Sequence, residues 1–219
     1  METRNVLIIG GEGHGAVVES CIEDNHKHGK DLDIQVRGYV NDYVNEIDGY
    51  PVLGGTNNIA ELAEKGYFFI WGIHLIGRNV LTYSTYQRIN IPKERLVTVI
   101  HHSAFIGRNV TIGPGSLVMC NSYIAPRTQI GESTMIKANT CIGHDVVCGP
   151  CCHFAMHSST GSYASLGICA NVAVNSVVLE KVHIGNFAML GAHSLAHSNI
   201  PDYEIYAGSP AKFLKHIKE

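Results

Sequence analysis

The sequence predicts a small Rossmann-like α/β nucleotide-binding domain over residues 1–98, followed by a left-handed parallel β-helix over residues 99–219. Two observations predict it. An apolar residue recurs every six positions through the C-terminal half, and a strand, a glycine loop and a helix open the chain. Stepping by six from Ile100 gives sixteen residues ending at Leu190, and fifteen of them are apolar, the exception being Thr160. Four places further on in each hexad the residue is always small, from Ala104 to Ser194. Glycine follows the inward residue nine times, beginning with Gly107 and Gly113.

Period six belongs neither to a helix, which repeats at about 3.6, nor to a flat strand, which repeats at about 2. It suits a triangular coil in which each hexad gives one short strand and one corner. Three hexads then close a turn of about eighteen residues, and coils stack at roughly 4.8 Å. The aliphatic residue fills the prism, the small residue packs near the corner, and glycine is expected to relieve backbone strain at the bend. Asn121, Asn139, His157, Asn175 and His193 fall 18 apart and should form a ladder along one edge. They are either stacked corner residues or part of a ligand groove. A solenoid leaves its ends open, so a cap and side-by-side association of subunits are expected.

In the first hundred residues, Val6–Ile9 reads as a buried strand, Gly10-Gly11-Glu12-Gly13-His14-Gly15 as a loop, and Ala16 to Asp24 as a helix. Such a loop holds phosphate on helix N-terminal amides. The glycine spacing is G-x-x-G-x-G, a departure from the dinucleotide fingerprint. A strand at Ile34–Val40 ends at Asn41-Asp42, whose side chains could accept hydrogen bonds from a ribose or a base. A strand at Tyr67–Trp71, a helix at about Ile76–Arg88 and a strand near Leu96–Val99 complete a parallel unit. Its small size suits one nucleotide better than a dinucleotide.

Composition excludes some functions. The net charge is −3 with no basic run, which argues against nucleic acid as a partner. No stretch approaches the roughly 18 apolar residues of a membrane span. The opening Met1-Glu2-Thr3-Arg4-Asn5 lacks a signal peptide's apolar region, and seven cysteines are an odd number, so a cytoplasmic protein with free thiols is expected. Cys148, Cys151 and Cys152 are expected to be small core residues rather than metal ligands, and no metal is expected.

Thirteen histidines are present, and His144 is followed directly by Asp145. A histidine on a rigid coil can take a proton from an attacking hydroxyl or amine while a carboxylate orients it. An exposed corner histidine is the plain alternative for any one of them. The strand with Gly-Gly-Glu-Gly-His-Gly, the Asn41-Asp42 pair, His101-His102-Ser103-Ala104 and His144-Asp145 occur in this order, and Ala207-Gly208-Ser209-Pro210-Ala211-Lys212 closes the series. Together they resemble the sugar O-/N-acyltransferase family, which includes sialic acid O-acetyltransferases and UDP-4-amino-sugar N-acetyltransferases.

The resemblance implies acetyl transfer from acetyl-CoA to an amino group on a nucleotide-linked sugar, in bacterial surface glycan synthesis, by a homotrimer with active sites between neighbouring β-helices. It implies His144 as the base and Asp145 as its acidic partner. His153 is implied to touch the acetyl group, and Gly161 to lie near an amide that binds the thioester oxygen. Ala207, Gly208, Pro210 and Lys212 would close over CoA. Gly11, Gly13, His14, Asn41 and Asp42 would form the acceptor site. Lys137 stands where relatives often carry Asn. A sugar hydroxyl as in sialic acid is the alternative acceptor. Rival readings are a γ-carbonic-anhydrase-like metal hydro-lyase and a non-catalytic sugar-nucleotide-binding protein.

Overall fold

The computed structural model describes residues 3–217. The N-terminal unit is a five-stranded sheet flanked by helices. Its elements are β1 (Arg4–Ile9), α1 (Glu12–Lys27), β2 (Ile34–Val40), β3 (Glu46–Ile47), β4 (Tyr50–Gly54), α2 (Ile59–Glu64), β5 (Phe68–Trp71) and α3 (Asn79–Ile89). The strand order is β3-β4-β2-β1-β5. β1 is an interior strand, between β2 and β5, and both its faces are apolar: Val6 and Ile8 join the core beneath α1, while Leu7 and Ile9 join the core with α2 and α3.

Several sequence expectations change here. The first helix begins four residues before Ala16, because Glu12, Gly13, His14 and Gly15 already turn helically, and it runs on to Lys27. The sheet is not wholly parallel, since β3 runs antiparallel to β4 at the edge. Sequence reading passes over β3, β4 and α2. The two strands are short and largely exposed, so no buried alternation marks them. Leu96 makes only an isolated bridge to Phe69, and Val99–Ile100 is the first strand of the solenoid.

Among the described residues, seventeen two-residue strands follow from Val99–Ile100 to Leu195–Ala196. They form three parallel faces. The first starts at Val99–Ile100, the second at Phe105–Ile106 and the third at Thr111–Ile112. Each strand pairs with the one 18 residues on, as Tyr123 does with Cys141. Backbone N–H groups of one coil donate to the next, as Met135 does to Cys152 O at 2.9 Å. Ile124, Ile136, Ile142, Phe154, Val172 and Leu190 are buried in the interior, with Cys148 and Cys152 among them. The small residues supply hydroxyls as well as space. Ser116, Ser122, Thr128 and Thr140 each donate to a carbonyl 15 residues on, between 2.8 and 3.2 Å.

The glycines serve a different purpose from strain relief. None of the nine that follow an inward residue has a left-handed φ; a Cβ on any of them would meet the chain stacked above it at 3.0 Å or less. The left-handed backbone lies two residues further on. There Asn109, Asn121, Arg127, Ser133, Asn139 and Asp145, and their successors every six residues to His193, have φ between 51 and 63°. The edge ladder from Asn121 to His193 is therefore a stack of corner residues, with Asn175 Nδ2 at 3.3 Å from His193 Nε2. Left-handed φ costs a non-glycine residue roughly 1–2 kcal/mol. The coil-to-coil hydrogen bonds and the filled interior offset that cost.

The α/β unit sits on the first face. Val99, Leu117 and Met135 point outward there and share one core with β1 and α1. Asn25, fully buried, donates to Ile100 O at 3.0 Å and accepts from His102 N–H at 2.7 Å. Asn79 of α3 donates to Phe187 O at 2.9 Å.

Replacing Ile130 with Asp would bury an unpaired charge in the prism, and the variant should be insoluble or unfolded. Gly131→Ala pushes a methyl into the backbone of Gly149 and Pro150. It should cost about 1–3 kcal/mol and lower the melting temperature by roughly 3–10 °C. Thermal unfolding followed by circular dichroism checks both; native-like melting of I130D would mean that the register is wrong.

Candidate active site

His144 lies between the strands Cys141–Ile142 and Val147–Cys148, on the edge joining the second and third faces. Its side chain is 42% exposed. Its Nδ1 is 2.6 Å from Asp145 Oδ2. A carboxylate accepts, so Nδ1 carries the proton and Nε2 keeps the lone pair facing outward. Asp145 occupies the left-handed corner, and one coil away at the same corner stands Arg127. Arg127 Nε and Nη2 donate to Asp145 Oδ1 and Oδ2 at 2.7 and 2.6 Å. This fork, with His144 second, holds the Asp145 carboxyl at about 2, below its ordinary 3.8. Tyr163, one coil further on, sets its ring edge-on to His144 at 5.1 Å.

Gly161 does not offer its amide. That N–H donates to Val178 O at 2.8 Å as part of coil stacking. The next residue, Ser162, stands one coil from His144, and its N–H has no acceptor among the described residues. A free amide beside the histidine therefore belongs to Ser162.

A second group of residues gathers in the α/β unit. A cavity of about 650 Å³ opens at the N-terminus of α1, within the size range of small-molecule sites. Gly11, Gly13, His14, Asn41 and Asp42 all line it, with Thr56, His74 and Arg88. Gly10 takes φ 150° and Gly15 lies against the Tyr39 ring, so both have structural reasons to be glycine. A Cβ on Gly13 would meet nothing within 4 Å, which leaves its face of the helix end open.

Asn41 and Asp42 are already engaged. Asn41 Nδ2 donates to Gly10 O at 2.8 Å, and its Oδ1 accepts from Tyr43 N–H at 2.8 Å. Asp42 accepts from Thr56 N–H at 2.6 Å and from Thr56 Oγ1 at 2.8 Å. These bonds tie three loops into one rim of the cavity.

His153 joins this N-terminal side, away from His144. It points outward from the first face, 6% exposed, with its ring centroid 5.6 Å from His14 and 5.5 Å from His74. Burial, with the Lys137 charge adding to it, brings His14 down to about 4. Burial, then His14 and Lys137, brings His153 to about 3. All three imidazoles are neutral at physiological pH.

Ala207, Gly208, Pro210 and Lys212 belong to a hairpin at the far end of the first face, formed by the strands Glu204–Ala207 and Lys212–His216. Gly208, at φ 100°, donates to Ser194 Oγ at 2.9 Å. Phe213 and Leu214 are exposed beside it.

Among the described residues one group could hold a metal: Asp24, His101 and His102, whose ligand atoms lie within 4.8 Å of one another. Ser103 N–H donates to His101 Nδ1 at 3.2 Å, which puts the proton on Nε2, and Nε2 donates to Asp24 Oδ2 at 3.0 Å. The group is a hydrogen-bonded latch between α1 and the first coil.

The edge carrying His144 is opposite the face on which the α/β unit sits, and it contributes nothing to the cavity wall. Of the residues that sequence reading missed, Arg127 and Tyr163 had a signal, their 18-residue spacing from Asp145. Thr56, His74 and Arg88 had none, since only the tertiary fold brings them to the cavity.

Residues 5–88 match the family profile described as the PglD N-terminal domain. The chain is similar to a mutant of perosamine N-acetyltransferase from Caulobacter crescentus, solved in complex with CoA and GDP-perosamine. The identity is 28%, with 96% of this chain and 97% of that chain covered and a TM-score of 0.81. The acetyltransferase domain of PglB from Neisseria gonorrhoeae FA1090, in complex with acetyl coenzyme A, shares the fold. It has 21% identity, 97% and 100% coverage and a TM-score of 0.79. Serine acetyltransferase 2 from Arabidopsis thaliana is 29% identical over 145 residues, which span 65% of this chain and 39% of that protein. With an α/β unit that matches the PglD N-terminal profile capping a left-handed β-helix, the chain has the architecture of hexapeptide-repeat sugar acetyltransferases and is similar to them along its whole length.

Proposed function

We propose that the chain transfers an acetyl group from acetyl-CoA to the amino group of a nucleotide-linked sugar, in the assembly of bacterial surface glycans. The observation that carries this reading is the hydrogen-bonded chain Arg127–Asp145–His144, which leaves His144 Nε2 as an open base on a rigid corner. The CoA and GDP-perosamine in a relative's structure support the two substrates.

The acceptor's nucleotide enters the cavity at α1, where the unpaired amides of the first helical turn and the open face of Gly13 receive phosphate. The amine attacks the thioester carbonyl, and His144 Nε2 takes the proton that the nitrogen sheds. Asp145 stabilises the imidazolium, and Ser162 N–H, in place of Gly161, meets the oxygen that gains charge. The carbon–sulfur bond then breaks, the His144 imidazolium gives its proton to the departing sulfur, and CoA leaves as the thiol. The hairpin of Ala207, Gly208, Pro210 and Lys212 closes on CoA. A sugar hydroxyl would lose its proton to the same atom.

Because the acceptor cavity and His144 lie on opposite sides of one prism, the complete site needs the base of one protomer and the cavity of its neighbour. We assign a homotrimer on this ground, and a trimer closes such a heterologous arrangement.

Four experiments test the reading. Thiol release from acetyl-CoA should depend on a UDP-, GDP- or dTDP-linked amino-sugar. His144→Ala should lower kcat at least about a hundredfold with little change in KM, and Asp145→Asn should fall between it and wild type. A His144→Ala enzyme keeping a tenth of its kcat would identify another base.

Arg127→Ala should let the Asp145 pKa climb from about 2 towards 3.8, read by carbon-detected NMR. The depressed carboxyl stabilises the fold at pH above its unfolded value, and that contribution fades as pH falls through 3.8 to about 2. Acid unfolding of Arg127→Ala should therefore begin at higher pH.

Gly13→Trp should fill the cavity and abolish acceptor binding. Mixed with His144→Ala and reassembled, it should restore activity in about a quarter of the sites of random trimers. No recovery in verified mixed trimers would place both halves of the site in one protomer.

A further inference from the structure

The outward ladder of the first face runs Val99, Leu117, Met135, His153, Asn171 and Met189. Its first three members are apolar and seal the α/β unit to the solenoid, but at His153 and Asn171 it turns polar. Lys137 lies at this transition. It follows the inward Ile136 and donates its backbone N–H to Phe154 O at 2.9 Å.

Lys137 is only 9% exposed, and its ammonium neither hydrogen-bonds nor pairs with a carboxylate among the described residues. Its neighbours are the imidazoles of His14, His74 and His153, on which its charge acts. These rings lie 5.5–5.8 Å apart. They are neutral and cannot balance an ammonium. Burial lowers Lys137 itself from 10.5 to about 8, which still leaves it charged near neutrality. The acids of the adjoining cavity do not serve it either: Asp42 is bonded to Thr56, and Glu12 stands exposed at the start of α1.

A second observation points the same way. His74 Nε2, both ring nitrogens of His153 and Asn171 Oδ1 are buried without a hydrogen-bond partner. Buried polar atoms are normally paired, and their concentration around one unpaired cation marks a place built for something that the polypeptide does not supply. His14 and His74 also line the 650 Å³ cavity, so the cluster borders the space where the acceptor would bind.

We infer that Lys137 is a specificity-determining residue that receives an anionic group of the acceptor, a sugar carboxylate or a phosphate, at the seam between the α/β unit and the solenoid. The inference rests on the acetyl-transfer reading only for the identity of the molecule that bears the anion. A poorly hydrated ammonium without a carboxylate partner destabilises the free protein. Removing one that serves a ligand therefore strengthens the fold while weakening binding, the trade expected of a functional residue.

The experiment compares full-length wild type, Lys137→Met and Lys137→Arg. Isothermal titration uses N-acetylneuraminate as a carboxylate without phosphate, and UDP, GDP and inorganic pyrophosphate as phosphates without carboxylate. At least one of these anions should bind Lys137→Met at least about tenfold more weakly than wild type, with Lys137→Arg in between. Loss confined to N-acetylneuraminate assigns the carboxylate, and loss confined to the phosphates assigns the phosphate. The melting temperature of Lys137→Met should equal or exceed that of wild type. Equal affinities in wild type and Lys137→Met, no binding of any of these anions to wild type, or a lowered melting temperature would overturn the inference. Thiol release, measured separately on wild type, reports on the acetyl-transfer reading. Its absence alongside Lys137-dependent anion binding would remove that reading and leave this one standing.

Discussion

Everything in the C-terminal half depends on one constraint, the close stacking of coil on coil. Each 18-residue turn must present its N–H groups to the carbonyls of the next, and this fixes the strands, the corners and the spacing of side chains together. Glycine occurs where two coils approach too closely for a Cβ. The corner two residues later bends through left-handed backbone, which Asn and Asp tolerate better than most residues. Once the stack is set, residues 18 apart lie one above another, and ordinary side chains become ladders.

The chemistry uses that ladder. Arg127, Asp145 and Tyr163 occupy the same corner on successive coils, so a carboxylate and a phenol ring reach His144 from fixed backbone while a guanidinium holds the carboxylate. An Asp on a flexible loop would lose rotamer entropy each time it bonded the imidazole. Here the backbone has already restricted it, and Arg127 clamps both its oxygens. The corner that carries a backbone cost is thus the one that orients His144.

The first face obeys a different logic. Its outward residues seal a domain junction, and sealing excludes water from whatever is polar there. Val99, Leu117 and Met135 gain from this, while His153 and Asn171 lose hydration without recovering it in protein bonds. Polar satisfaction is therefore uneven along a single ladder, apolar at one end and unsatisfied in the middle.

The sequence by itself determined the solenoid, because period six in apolar residues admits one way of burying them and the period survives from Ile100 to Leu190 without a break. It also determined the strand–loop–helix opening and the adjacency of His144 and Asp145, which are local in the chain. The purpose of the glycines was beyond it, since a Cβ clash with a residue 18 or 19 positions away depends on how coils sit on each other. So were the roles of Asn41 and Asp42, whose bonds to Gly10 and Thr56 exist only after β4 and the segment behind it fold against β2. The tertiary structure alone decided that His14 and His153 share a buried cluster with His74 and Lys137 while His144 faces away from it. Which edge of the prism the α/β unit covers follows from long-range packing of Val99, Leu117 and Met135, and no spacing in the chain encodes that choice.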